Sequence, residues 1–264
     1  MPFNTLQLDV ESDLAVITFN RPAKRNAISP EMLQEIHQAL DEVESGQTRV
    51  GILTGAGVAF CAGMDLAVLR AMAAQLPAAE TQASPDSVVE DARHMAHFFR
   101  RLYSFPKPLV AAVNGAALAG GCGIATLCDF TLACPEATFG YTEVRIGFMP
   151  ALVAVFLVRQ VGEKRARDLL LTGRILSAEE AQRIGLVNEI SPKEDLLGRA
   201  RELARNLAAL SPASLAHTKR LIADLSRDEL DRQLEISAQA SARIRSTADF
   251  REGLSAFLEK RRSP

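Results

Sequence analysis

Two short apolar segments at the start of the chain predict a pair of β-strands. Leu6, Leu8 and Val10 alternate with polar residues, which is the spacing of a strand with one buried face. Residues 14–19 are nearly all apolar, and this also indicates a strand. The acidic segment 11–13 between them predicts the turn of a β-hairpin.

An amphipathic helix is predicted to begin after Ser29 and to end at Gly46. Serine is a favourable N-cap, and Pro30 suits the first helical position. The apolar face of this helix is formed by Met32, Leu33, Ile36, Ala39, Leu40 and Val43. The preceding segment 20–27 is polar and contains a proline, so we expect a loop there. A buried strand at 50–53 then completes one β-α-β step.

The middle of the chain repeats the order of strand, glycine-rich loop and helix. Apolar residues at 109–113 and 130–133 predict two further strands, and the glycine-rich segment 114–123 follows the first of them. Residues 70–90 differ, because alanine, glutamine and serine dominate and two prolines interrupt the segment. This composition predicts either a mobile helical insert that acts as a lid or a plain surface excursion.

The chain after Pro150 is predicted to be mostly helical. Three serines have the sequence context of a helix start, namely Ser177 with Glu180, Ser226 with Glu229, and Ser211 before Pro212. Residues 194–264 hold three or four helical patterns and little strand. The sequence therefore predicts an α/β fold with a core at residues 1–193 and a C-terminal helical region at residues 194–264.

Composition indicates an ordinary globular protein. Of 264 residues, 48% are apolar and 23% are charged, which is enough apolar surface for a sizeable core. The net charge of −2 gives no electrostatic reason to expect a nucleic acid or an acidic membrane as partner. The chain has no C-x-x-C pair, no histidines at metal-ligand spacing, no signal-peptide pattern and no long apolar run. We therefore expect a cytoplasmic protein with reduced cysteines and no metal site.

Two glycine-rich loops are the first candidates for chemistry. They cover residues 60–66 and 114–123, and each lies between a predicted strand and a predicted helix. Glycine lets the backbone approach a ligand closely, and a helix N-terminus presents unpaired N–H donors. Two such loops facing each other would form an oxyanion hole. Tight strand-to-helix turns are common, however, and they are the more frequent explanation of one such loop taken alone. Neither loop fits the dinucleotide fingerprint or the P-loop.

The whole chain resembles the enoyl-CoA hydratase/isomerase (crotonase) superfamily. The matching motifs are NRPAKRNAI at 20–28, AFCAGMDL at 59–66, KPLVAAVNGAALAGGCGIATLCDFTLA at 107–133, ATFGYTEVRIG at 137–147, LTGRILSAEEAQRIGLVNEI at 171–190 and FREGLSAFLEKR at 250–261. The resemblance implies a spiral core of repeated β-β-α units and a C-terminal trimerisation region. It also implies a homotrimer or a dimer of trimers that acts on an acyl-CoA thioester. No separate cofactor is implied, because the substrate carries the coenzyme A.

The resemblance assigns a role to ten residues. Met64 and Gly120 correspond to the two backbone donors of the oxyanion hole, and Glu143 corresponds to a catalytic acid/base. The positions that correspond to coenzyme A contacts are Lys24, Arg25, Ala62, Asp65, Leu66, Phe257 and Lys260. In the family, the last two reach coenzyme A from a neighbouring subunit. Exposed cations such as Lys24 are also commonly just solvated.

The chain departs from the two-glutamate hydratases of the family at Gly123. Those enzymes carry an acid three residues after the oxyanion glycine, so this chain keeps only Glu143. A single carboxylate can add water to an enoyl thioester, and it can also shuttle a proton between carbons. We therefore rank an enoyl-CoA hydratase, with a branched or methylglutaconyl-type acyl group among its candidates, before a double-bond isomerase and a malonyl-type decarboxylase. A catalytically silent CoA-binding scaffold is the alternative of another class.

Two histidines lie close to the predicted lid. His94 and His97 are three residues apart on a predicted helix, so they share one face. They are candidates for lining an acyl pocket or for supplying a second acid, and a structural or surface role is the alternative.

Overall fold

The computed structural model describes residues 3–74 and 86–259. The strands in this part of the chain are β1 (Leu6–Glu11), β2 (Leu14–Phe19), β3 (Val50–Gly55), β4 (Ala59–Cys61), β5 (Leu109–Val113), β6 (Ala116–Leu118), β7 (Phe130–Ala133), β8 (Thr138–Gly140), β9 (Leu176–Ser177) and β10 (Glu189–Ile190). The helices are α1 (Pro30–Ser45), α2 (Leu66–Ala74), α3 (Asp86–Tyr103), α4 (Gly120–Leu127), α5 (Ala151–Val161), α6 (Glu163–Thr172), α7 (Ala178–Arg183), α8 (Leu196–Ala208), α9 (Pro212–Asp224), α10 (Arg227–Ile244) and α11 (Ala248–Leu258). Two short 3-10 turns cover Pro22–Lys24 and Glu143–Ile146.

The strands form two sheets that the chain visits alternately. The larger sheet has the order β1-β2-β3-β5-β7-β10, and the smaller sheet has the order β4-β6-β8-β9. Strands β3, β5 and β7 are parallel neighbours in the larger sheet, and each is followed directly by a strand of the smaller sheet. A helix then leads to the next pair of strands. The spiral of repeated β-β-α units expected from the sequence is therefore confirmed.

The elements predicted from local patterns are present with similar bounds. The first hairpin pairs Leu6 with Phe19 in antiparallel register. Helix α1 begins where Ser29 Oγ accepts a hydrogen bond from the Met32 N–H at 3.2 Å, and Gly46 is its C-cap. Segment 20–27 is a loop except for its single 3-10 turn.

One predicted helix cap is wrong. Ser177 and Ser211 accept hydrogen bonds from the Glu180 and Ser214 N–H groups, as expected of N-caps. Ser226 precedes α10, but its side chain caps no backbone N–H. Its backbone lies at φ −137° and ψ 25°, outside the extended conformation that aims an N-cap oxygen at the first turn.

The C-terminal helices fold back over the core. Helix α8 packs on strands β2, β3, β5 and β7, and α10 packs on α3 and α5. Helix α11 lies against α2 and the 3-10 turn at Glu143–Ile146. Between residue 194 and residue 259, the last described residue, the chain forms four helices, so the helical character of this region is confirmed. The boundary at residue 193 stays a prediction.

The predicted insert at 70–90 is described only in part. Helix α2 enters it and helix α3 leaves it, and residues 75–85 lie outside the described residues. In the part of the chain that the structure describes, no helix is both long and apolar enough to cross a lipid bilayer.

Candidate active site

The first glycine-rich loop leaves one backbone donor free. Ile28 donates its N–H to the Gly63 carbonyl at 2.7 Å, and Asp65 donates to the Ile28 carbonyl at 2.9 Å. This parallel bridge uses the groups on either side of Met64 but not the Met64 N–H. Within residues 3–74 and 86–259, the Met64 N–H has no protein acceptor. It is therefore available to a ligand.

The second loop presents a matching donor at a strained turn. Gly120 is the first residue of α4, where helical N–H groups have no intrahelical partner. Among the described residues, the Gly120 N–H finds no protein acceptor. The preceding residue, Ala119, has φ 50° and ψ −126°, which is costly for a residue with a side chain. Its N–H donates to the Gly140 carbonyl at 2.7 Å, which helps to hold this turn.

Glycines bring the two loops into contact. A Cβ at Gly63 would lie 3.0 Å from the Ala119 Cβ, and φ at Gly63 is +90°. A Cβ at Gly121 would lie only 2.2 Å from the Cys61 carbonyl oxygen. Only glycine fits such close approaches between backbones. The packing therefore places the Met64 and Gly120 donors on the wall of one cavity.

Glu143 lines the same cavity. It begins the 3-10 turn after β8, and its Oε2 is buried without a hydrogen-bond partner among the described residues. Burial disfavours the charged carboxylate and raises the pKa of Glu143 to about 7, while a hydrogen bond from its own backbone N–H counteracts part of this rise. A carboxyl group with this pKa can both take and give a proton near neutral pH.

The cavity has a volume of about 920 Å³ and mostly apolar walls. Its main apolar residues are Ile28, Leu33, Val68, Leu69, Met72, Met95, Phe99, Phe148, Leu152 and Val153. A cavity of this size, with apolar walls and a few polar groups, suits a small organic ligand. The two backbone donors and the single buried carboxyl group define its reactive end.

The position of the missing acid is filled by apolar side chains. A Cβ at Gly123 would lie 2.6 Å from Cγ1 of Val153 and 3.2 Å from Cε1 of Phe99. Gly123 lies inside α4, so its backbone conformation would accept a side chain. The space, and not the backbone, excludes a second acid here.

The predicted coenzyme A residues surround the first loop. Lys24 and Arg25 are exposed, and the Arg25 carbonyl accepts the Ala62 N–H at 3.0 Å. The side chains of Lys24 and Arg25 form no ion pair with any described residue, so both cations are available. Leu66 is also exposed, at 46%. Lys24, Arg25, Ala62 and Leu66 all lie beside the Met64 loop, but none of them lines the cavity.

Asp65 is engaged within the protein. Its carboxylate accepts from Arg21 Nη2 at 2.6 Å and from the Ala67 N–H at 2.9 Å, where it caps α2. The side chain is 7% exposed. Burial tends to raise the pKa of Asp65, but the bonds from the Ala67 N–H and from Arg21 together hold it below its usual range. Arg21 also donates to the Ala27 carbonyl. Asp65 and Arg21 thus clamp the loop that carries Met64, a role that the sequence pattern did not suggest.

Comparison with known proteins identifies the family. The family profile described as Enoyl-CoA hydratase/isomerase matches residues 9–264. The chain belongs to this family. A putative enoyl-CoA hydratase of Thermus thermophilus is 45% identical over 249 residues, which are 94% of this chain and 95% of that protein. The crotonyl-CoA hydratase of Syntrophomonas wolfei is 35% identical over 266 residues, covering 100% of this chain and 98% of the relative.

Solved structures of the enoyl-CoA hydratase/isomerase family share the fold. A crystal structure of an enoyl-CoA hydratase/isomerase from Xanthobacter autotrophicus has a TM-score of 0.86 and 31% identity, over 98% of this chain and 97% of that one. An enoyl-CoA hydratase from Mycobacterium avium has a TM-score of 0.84 and 32% identity, over 98% of both chains. The resemblance inferred from the motifs is therefore confirmed.

Of the remaining predicted residues, the two histidines line the cavity and Phe257 does not. His94 and His97 both line the cavity from α3, and His94 Nε2 lies 3.4 Å from Glu90 Oε1. Phe257 is on α11 and is 48% exposed, outside the cavity lining. Lys260 lies outside the described residues, so its contact with coenzyme A stays a prediction.

Position 123 offers a direct test of the packing. We expect Gly123→Glu alone to destabilise the protein by roughly 1–3 kcal/mol, the usual range for overpacking. Gly123→Glu combined with Val153→Ala is expected to recover part of that loss. Thermal melts of the three variants, with Val153→Ala as the control, measure this. A Gly123→Glu protein as stable as the parent would show that the wall moves aside freely.

Proposed function

We propose that this member of the enoyl-CoA hydratase/isomerase family is an enoyl-CoA hydratase, a hydro-lyase that adds water to a 2-enoyl-CoA thioester. One observation carries the proposal: two unpartnered backbone donors and one buried carboxyl group of raised pKa share an apolar cavity. The relatives named as hydratases, including the crotonyl-CoA hydratase, support the same activity.

The backbone donors activate the substrate in this mechanism. The thioester oxygen accepts hydrogen bonds from the Met64 and Gly120 N–H groups, which withdraws electron density from the conjugated double bond. The β-carbon becomes electrophilic, and the negative charge that forms on the oxygen is stabilised by donors that need no reorganisation. Apolar walls keep competing water away and strengthen these bonds.

Glu143 carries out both proton transfers of the water addition. Its carboxylate takes a proton from water as the oxygen forms a bond to the β-carbon, and the electron pair of the double bond moves into the enolate. The carboxylic acid then returns that proton to the α-carbon, and the thioester carbonyl reforms. Atoms and charge balance with one residue, and a pKa of about 7 suits both roles.

Double-bond isomerisation is the second candidate. The observation that favours it is the apolar wall of Phe99 and Val153 at the position of a second acid. Without that acid, Glu143 alone can take a proton from one carbon and return it two carbons away. The scaffold alternative of another class predicts no turnover at all.

The setting of the reaction completes the proposal. Lys24 and Arg25 would hold the coenzyme A phosphates with Ala62, Asp65 and Leu66 beside the adenine. No metal or redox group is required by proton transfer and water addition, since the substrate carries its own coenzyme A. A cytoplasmic location is supported by four buried cysteines that are all free thiols.

We also propose a homotrimer or a dimer of trimers. The support is the exposure of Phe257 on α11, the helix that packs against the 3-10 turn of Glu143. An apolar side chain exposed there is available to a neighbouring subunit. Light scattering at micromolar concentration is expected to give a mass of about three or six chains, and a monomer would contradict the proposal.

The proposed activity is tested with a panel of substrates. The pure protein is incubated with crotonyl-CoA, a 3-enoyl-CoA and 3-methylglutaconyl-CoA, and the products are separated and weighed by mass spectrometry. A 3-hydroxyacyl-CoA product supports hydration, whereas a shifted double bond without added water supports isomerisation. The absence of turnover on every thioester, with retained binding, would favour the scaffold.

A further inference from the structure

The cavity contains one buried cation that the proposed mechanism does not use. Arg245 follows the last turn of α10, and its side chain is only 7% exposed. It lines the same cavity as Glu143. Burial of a charged side chain without partners costs free energy, so such residues normally have a compensating ligand or ion pair.

Arg245 has no adequate partner in the described protein. Its Nε–H is buried and donates a hydrogen bond to no described residue. The carboxylate of Asp91 is 4.0 Å from Nη1, which is beyond hydrogen-bond distance, and this carboxylate is 58% exposed to solvent. Desolvation lowers the pKa of Arg245, with Asp91 opposing the shift. An arginine nevertheless remains charged at neutral pH. Because no described residue accepts a hydrogen bond from its guanidinium, the N–H groups of this side chain are available to a ligand.

The environment of Arg245 orients it for a planar anion. Its guanidinium carbon lies 5.7 Å from the centre of the Phe148 ring, a cation–π contact that helps to hold the group in the cavity wall. Ser241 is one turn earlier on α10, on the same helix face, and it also lines the cavity. A carboxylate would match the forked donors of an arginine and could also accept from this hydroxyl group.

The anion must belong to the acyl part of the substrate. The thioester lies between the Met64 and Gly120 donors in the proposed reaction, and both donors line the cavity. Lys24 and Arg25, which are proposed to hold the phosphates, do not line it. The whole pantetheine arm separates those phosphates from the thioester carbon, so an anion inside the cavity is on the acyl side.

We propose that Arg245, with Ser241 beside it, recognises a carboxylate at the far end of the acyl chain. The preferred substrate class is then a 2-enoyl-CoA derived from a dicarboxylic acid. This inference deepens the proposed hydratase function and rests on it. Arg245 is a specificity-determining residue in this account, and the chemistry remains with the two backbone donors and Glu143.

Matched substrates and variants test the inference. The substrates are 2-hexenoyl-CoA with 2-hexenedioyl-CoA, and 2-octenoyl-CoA with 2-octenedioyl-CoA, so that each pair differs in the terminal group. We expect the parent protein to prefer the acidic member in kcat/KM, and Arg245→Met to lower that preference by about 10², the range for truncating one partner of a buried charge pair. Arg245→Lys keeps the charge but loses the fork, so an intermediate preference is expected.

Arg243→Met is the matched control. Arg243 is on the same helix two residues earlier and is exposed, so its substitution removes an equal charge outside the cavity. We expect it to leave the preference within about twofold. Replacing a buried, poorly paired charge by an apolar group of similar size is often neutral or stabilising. The melting temperature of Arg245→Met is therefore expected to stay level or to rise by roughly 2–4 °C.

The possible outcomes distinguish a failure of this inference from a failure of the proposed hydratase function. If the parent hydrates acidic and neutral substrates equally and Arg245→Met does not change the ratio, the inference is overturned and the hydratase function stands. If Arg245→Met lowers kcat/KM for the acidic and the neutral substrates by the same factor and also melts at a lower temperature, Arg245 is a structural residue. The inference is then also overturned. If no member of either pair is hydrated but crotonyl-CoA is, the inference is overturned and the hydratase function stands. If crotonyl-CoA is not hydrated either, the proposed function itself fails.

Discussion

Glu143→Gln is expected to lower the turnover number by about 10²–10⁴, the usual range for losing general acid–base help. Glutamine keeps the size of the side chain but cannot take a proton from water. No second acid can take over at position 123, because Gly123 faces the packed side chains of Phe99 and Val153. Binding of an acyl-CoA ester is expected to change little, since the carbonyl donors are backbone groups.

The pH dependence gives an independent check on Glu143. The reaction starts from the carboxylate, so kcat/KM of the parent is expected to fall about tenfold per pH unit below pH 7, where Glu143 becomes protonated. The residual activity of Glu143→Gln should lack this acidic limb. Glu136→Gln is the matched control, because Glu136 is exposed and does not line the cavity. A Glu143→Gln protein with parental turnover would move the catalytic role to His94 or His97.

The same carboxyl group makes stability depend on pH. Its pKa is about 7 in the folded protein and near 4.5 in the unfolded chain, so the unfolded chain loses this proton first as the pH rises. The free energy of unfolding therefore falls between pH 4.5 and pH 7, by an amount on the order of 3 kcal/mol. Glu143→Gln removes this loss. Denaturant melts should show that the free energy of unfolding of Glu143→Gln, relative to that of the parent, increases from pH 4.5 to pH 7 and stays constant above pH 7.

Local sequence patterns were sufficient for strands β1, β2, β3, β5 and β7 of the larger sheet and for the main helices, but not for its two-residue edge strand β10. Strands β2, β3 and β5 are largely apolar, and α1 has both a capping serine and an apolar face. The smaller sheet was different. Strands β4, β6 and β8 have three residues each, which is too short for periodicity to register. Their pairing depends on contacts between distant loops, so only the family resemblance implied them.

The wrong cap at Ser226 and the engaged Asp65 have a related cause. Ser226 has the local sequence context of a capping box, and Asp65 takes its predicted role from the family resemblance. In both, the hydrogen bonds of the side chain depend on the backbone conformation and on neighbouring residues. At Ser226 the backbone departs from N-cap geometry, and at Asp65 a guanidinium 44 positions earlier in the chain takes up the carboxylate. Short-range patterns carry no information on such distant partners.

Arg245 shows what a closer look at helical register could have found. Cations at the end of a helix commonly interact with its dipole in solvent, and this made Arg245 unremarkable in sequence. The buried stripe of α10 contains the apolar residues Leu230, Leu234, Ala238 and Ala242, with Ser241 beside them. Arg245 continues this stripe at helical spacing, so a charge falls where the pattern requires an apolar side chain. That conflict between charge and register is the signal of a functional position.

The second large effect is expected at Gly120. Gly120→Pro removes the backbone N–H and places a ring carbon where the thioester oxygen would lie, while proline suits the first position of α4. Losing one oxyanion donor typically costs about 10²–10³ in turnover number. The control is Gly120→Ala, whose Cβ would lie 3.4 Å from Ile28 Cδ1 and 3.8 Å from Phe99 Cζ, which are tolerable contacts.

Turnover numbers of the two Gly120 variants and of Met64→Leu are measured with the best substrate of the panel. Gly120→Ala and Met64→Leu keep both N–H groups, so each is expected to stay within about tenfold of the parent, well above Gly120→Pro. If Gly120→Pro does not fold, Met64→Pro removes the other donor. The Met64 N–H is not used by the two hydrogen bonds that join Ile28 to Gly63 and Asp65. Similar, mild losses in the proline and the control variants would mean that the thioester oxygen is held by groups other than these two amides.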